Sequence, residues 1–97
     1  MTLSFADLQR RPSVRAEDLM ATLREYATSG AAISGRVVRT LVMRTLLDAD
    51  QMAHLIESAE RGAESQRSRN FPRDAESYED VADLLREMAR PSMRASP

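Results

Sequence analysis

The chain has 97 residues, 42% hydrophobic and 30% charged, with a formal net charge of −1; this length allows one domain with a modest core, and the composition is that of a folded chain. No cysteine is present, which excludes disulfides, thiolate metal sites and cysteine nucleophiles. All fourteen basic residues are arginine, in keeping with the codon usage of a GC-rich bacterial genome, so any basic surface is able to make bidentate contacts to carboxylate or phosphate.

Residues 1–11 lack the charged start and apolar run of a secretory leader, and no stretch approaches the roughly 20 apolar residues of a membrane span. A cytoplasmic protein with no membrane contact is therefore expected. Ser4 to Asp7 reads S-x-x-D, a helix start signal carrying Phe5 and Leu8, and Arg10-Arg11-Pro12 ends it. Residues 1–12 are expected to form an arm or a short helical turn. From Ala16 to Ala27, Leu19, Met20, Leu23 and Tyr26 fall on one stripe, with Glu17 and Asp18 in the first turn. That pattern predicts an amphipathic helix stopped by Ser29-Gly30.

Residues 31–47 are the most apolar part of the chain. On a helix wound at about 100° per residue, Ile33, Val37, Val38, Leu41, Val42, Met43, Leu46 and Leu47 spread around most of the circumference. This segment predicts a helix that begins near Ala31, or with Ser34 as its cap, and belongs at the centre of a bundle or at a seam between subunits. Asp48-Ala49-Asp50-Gln51 is a D-x-x-Q capping box, which predicts a new helix or a sharp kink at Asp48. One unbroken helix from Ala31 to Glu60 is the competing arrangement. Met52, Leu55, Ile56, Ala59 and Ala63 would share the apolar face of the next helix, with Asp50, His54, Glu57 and Glu60 on or near the other.

Residues 61–74 show no apolar periodicity and close with Asn70-Phe71-Pro72, so an Arg-rich loop is expected there. Ser77-Tyr78-Glu79-Asp80 reads as the start of the last helix, whose stripe is Tyr78, Val81, Leu84, Leu85 and Met88 up to Arg90-Pro91. Residues 92–97 are expected to be a flexible tail. The resulting fold class is all-α: a single domain over 1–97, built as a small three- to four-helix bundle around the apolar helix. About three amphipathic helices are too few to cover a helix that is apolar nearly all round, so completion by oligomerisation, as a homodimer or with another protein, is expected.

Charge alternates in blocks along the chain: residues 31–47 carry three Arg and no acid, 48–60 four acids, 61–73 four Arg against Glu64, and 74–90 six acids against two Arg. Pairing between neighbouring blocks is the ordinary outcome of such alternation. Three constellations are candidates for more than that. Arg61, Arg67, Arg69 and Arg73 surround Phe71, a basic segment with one stackable ring. Arg36, Arg39 and Arg44 lie along the polar strip of the apolar helix, beside Leu41 and Val42, which are candidates for an apolar docking face. Asp50, His54 and Glu57 project from one side of a helix at a spacing open to metal or acid–base chemistry, but the lone histidine leaves a typical site incomplete.

Met20, Met43, Met52 and Met88 all fall on apolar stripes, where core filling competes with an adaptable docking face. No phosphate-binding glycine loop or serine nucleophile motif occurs, so neither an enzyme nor a cofactor is expected. The pattern fits a small protein–protein interaction module, an adaptor, chaperone or inhibitor, with a nucleic-acid-binding regulator as the alternative.

Overall fold

A computed structural model describes residues 3–89 and is all-helical: five helices and no strand occur among the described residues. The expected tail at 92–97 lies outside them. No helix among the described residues is long and apolar enough to cross a membrane.

The short helix α1 (Phe5–Gln9) forms where S-x-x-D places it. The Asp7 amide donates to Ser4 Oγ (3.1 Å) and the Ser4 amide to Asp7 Oδ2 (3.0 Å), so two otherwise orphaned N–H groups are satisfied reciprocally. Phe5 and Leu8 are buried, and the Phe5 ring lies 4.5 Å from that of Tyr26, so the segment packs on the body of the protein. Helix α2 (Ala16–Ser29) buries Leu19, Leu23 and Ala27 and ends at Gly30, whose φ of 74° is the left-handed conformation that glycine adopts without steric cost.

Helix α3 (Gly35–Met43) begins at the Ser34 cap, one of the two expected starts, and ends before the expected Leu47. Ser34 caps it through the Val37 amide (3.4 Å), and Ala31 to Ser34 stay non-helical. Gly30 at its left-handed φ breaks the helix before this segment, and the carbonyls of Gly30 and Ala31 accept from side chains elsewhere in the chain. With nine residues, α3 buries Val38, Leu41 and Val42, packs Val37 half-buried against the core and exposes Met43, while Ile33, Leu46 and Leu47 fall outside the helix. It is not the centre of the bundle. Leu41 and Val42, expected at a partner surface, are fully buried inside the chain.

Asp48 caps helix α4 (Ala49–Ser68) by the expected box, with Gln51 N–H to Asp48 Oδ1 at 2.8 Å and Asp48 N–H to Gln51 Oε1 at 3.0 Å. The two segments 31–47 and 49–60 are therefore separate helices. The expected loop over 61–74 is instead the second half of α4, a tight turn, and the start of helix α5 (Pro72–Ala89). The turn is closed by Phe71 N–H to the Gln66 carbonyl (2.9 Å), with Asn70 at φ 64° and Pro72 opening the next helix, where its missing N–H costs nothing. Helix α5 thus begins five residues before the expected Ser77.

Helices α4 and α5 form an antiparallel hairpin, as the ladder of ion pairs Arg67–Glu79 (2.6 Å) and Arg86–Glu60 across it shows. Helix α2 lies on α4, α3 on α5, and α1 bridges α2 and α3. The core joins Leu19, Leu23, Val38, Leu41, Leu55, Tyr78, Val81 and Leu85 from four helices, with Phe5 and Leu8 from α1. At the hairpin's waist Gly62 leaves room for the Tyr78 ring, which a Cβ there would overlap. The Tyr78 hydroxyl donates to the Ala31 carbonyl (2.5 Å) and Gln66 Nε2 to the Gly30 carbonyl (2.8 Å), tying the end of α2 to the hairpin. Burial pushes the Tyr78 hydroxyl up to about 12, with the charges of Asp74 and Tyr26 adding to the effect.

Candidate functional site

Four surface grooves separate the residues singled out from sequence. The first, about 360 Å³ between α2 and α4, holds His54, Glu57 and Arg61. Arg61 pairs with Glu57 one turn earlier (3.2 Å). His54 is exposed, and no three Asp, Glu, His or Cys side chains among the described residues, Asp50, His54 and Glu57 included, stand together as a metal-ligand group.

The second groove runs along the α4–α5 hairpin, and in it Arg67 is held by Glu79. Arg69 lies over Gly30, with Nη1 3.4 Å from its carbonyl oxygen, and so helps to close the end of α2. The third groove is at the hairpin turn, where Phe71 is 50% exposed beside Arg73. Arg61, Arg67 and Arg73 therefore open onto three different surfaces, and the helical course of α4 disperses what a loop would have gathered.

The fourth groove, about 450 Å³ between α3 and α5, brings the expected residues Arg36 and Arg39 together with Thr40, Met43, Ser77 and Asp80. Its α3 wall follows from helical spacing: Arg36, Arg39, Thr40 and Met43 lie within about 100° of arc, opposite Val38, Leu41 and Val42. Met43 is 71% exposed and Leu46, in the connection to α4, is 95% exposed. These are two of the three large hydrophobic side chains exposed among the described residues. The other methionines on apolar stripes, Met20, Met52 and Met88, pack half-buried against the core.

Neither Arg36 nor Arg39 has an ion-pair partner among the described residues. Arg44, the third arginine of the strip, turns away and donates to the carbonyl oxygens of Arg11 (2.9 Å) and Pro12 (3.4 Å), which fixes the connection after α1. Helical spacing predicted the Arg36–Arg39 stripe. Asp80 was missed as a groove residue, since only the packing of α3 on α5 brings it there.

Comparison with protein families, curated proteins and solved structures finds no match to this chain.

Proposed function

We propose that the chain is a non-enzymatic interaction module that docks a protein partner on the α3–α5 face. One observation carries this reading: Met43, a large apolar side chain in solvent, lines the groove beside two arginines with no ion-pair partner among the described residues, and Leu46 stands exposed in the connection that follows α3. Exposed apolar anchors flanked by charged groups are the anatomy of a protein-binding patch, the anchors supplying affinity and the charges orientation. An adaptor, chaperone or inhibitor works by such contact alone.

A nucleic-acid-binding regulator is the second reading, and the unpaired Arg36 and Arg39 favour it. Against it stand the acids of α5 beside those arginines, which repel phosphate, and the internal use of Arg61, Arg67, Arg69 and Arg44.

Site-specific photocrosslinking separates the two. A photoreactive side chain placed at Met43 or at Leu46 is expected to trap protein in the host cell, whereas the same group at exposed Ala53 on α4 does not. Adducts to nucleic acid would carry the second reading. Equal yields at all three positions would overturn the docking face.

A further inference from the structure

The exposed side of α5 has a charge pattern complementary to its neighbour. Glu76, Asp80, Asp83 and Glu87 recur at spacings of three and four and lie within about 60° of arc on the helix. All four are exposed. Asp83 is held by Arg86 (3.0 Å), whereas Glu76, Asp80 and Glu87 have no ion pair among the described residues. Immediately across the groove, α3 exposes Arg36 and Arg39, equally unpaired. A basic stripe and an acidic stripe thus lie side by side, with Arg36, Arg39, Glu76, Asp80 and Glu87 unpaired among the described residues and Met43 in the basic stripe.

We infer that the occupant of this face is a second copy of the chain. In a two-fold arrangement each surface meets itself, so residue i on one subunit faces j on the other while j faces i. A face with adjacent stripes of opposite sign is complementary to itself under that operation. Arg36 and Arg39 of each copy meet the Glu76 and Asp80 region of the other, and the two Met43 side chains bury one another's apolar surface. The chain's charge balance fits this occupant better than a uniformly acidic one, which the α5 stripe would repel. The inference rests on the reading of this face as a docking surface and names what fills it.

Paired charge reversals test it with the full chain, by sedimentation equilibrium over a range of concentrations. The unmodified chain is expected to form dimers that weaken with added salt. Reversing the basic stripe (R36E with R39E) or the acidic stripe (E76R with D80R) is expected to weaken self-association by about tenfold or more. An equimolar mixture of the two variants is expected to associate, because the reversed positions make one groove acidic on both walls and the other basic on both walls. Circular dichroism of each variant confirms that the helices are intact.

A chain that stays monomeric at every concentration would overturn the inference, as would a dimer indifferent to both reversals or a mixture that does not associate. Photocrosslinking from Met43 and Leu46 to other proteins would survive each of those results, so loss of the dimer and loss of the docking face are told apart.

Discussion

Tyr78 joins three parts of the molecule through one side chain. Its ring fills the space that Gly62 leaves on α4, and its hydroxyl satisfies the Ala31 carbonyl 47 residues away in the sequence. A Tyr78→Phe substitution keeps the ring and leaves that acceptor only the longer contact from Gln66 Nε2 (3.4 Å), and is expected to cost about 1 kcal/mol in urea unfolding. Gly62→Ala pushes a methyl group into the ring, and the about 1 kcal/mol gained in helix propensity does not offset an overpacking cost of about 1 to 3 kcal/mol. The pH dependence has a definite sign. The Tyr78 hydroxyl ionises near 10.0 in an unfolded chain and near 12 when folded, so its contribution is complete below pH 10 and is lost as the pH rises towards 12. Unfolding followed over that interval should show a smaller alkaline loss in the Tyr78→Phe variant than in the parent. Sequence patterning identified Tyr78 as an apolar-stripe residue; nothing local to it signalled the carbonyl it would meet.

Four of the five helix starts were legible because capping depends on neighbours within four residues; the S-x-x-D at Ser77–Asp80 was a false start, since it lies inside α5. The boxes at Ser4–Asp7 and Asp48–Gln51 both form as their spacing predicts. Asp48→Ala removes the acceptor for the Gln51 amide, leaves that N–H to solvent, and is expected to lower stability by about 1 kcal/mol, measured by thermal unfolding against the parent. Asp7 behaves as a capping carboxylate should: hydrogen bonds from Ser4 hold its carboxyl below the ordinary 3.8. The far half of α4 was not legible by the same means. Its buried positions there are Gly62, Ala63 and Gln66, two small residues and an amide, which continue the helical period without the large apolar side chains that make a period visible. Gln66 is buried because Gly30 and Ala31 offer it acceptors, and among the described residues no buried side-chain polar atom lacks a hydrogen-bond partner.

The α4–α5 hairpin organises the protein: both long helices belong to it, and α2 and α3 each pack on one of its members. Helix α1 is five residues long and held chiefly by Phe5 and Leu8. Native-state hydrogen exchange is therefore expected to protect the amides around Leu55, Ala59, Val81 and Leu85 most strongly and those of α1 least. If α1 exchanged as slowly as the hairpin, the two would open together and this hierarchy would be wrong. The same architecture places the exposed charges. Neighbouring blocks of opposite sign suggested pairing throughout; the hairpin pairs Glu60 with Arg86 and Arg67 with Glu79, yet Arg36 and Arg39 form no ion pair among the described residues.

Helical class, the positions of most helix starts, the stop at Gly30 and the apolar stripes of α2 and α5 follow from local pattern, because propensity, capping and 3.6-residue periodicity act over a few residues. The length of α3, the course of α4 through the expected loop, the burial of Leu41 and Val42, and the meeting of Arg36, Arg39 and Asp80 in one groove were decided by tertiary packing. Each depends on contacts between residues dozens of positions apart. The carbonyls of Gly30 and Ala31 meet Gln66 and Tyr78 only when the hairpin has formed, and Leu41 and Val42 are withdrawn from any partner once the rest of their own chain has covered them.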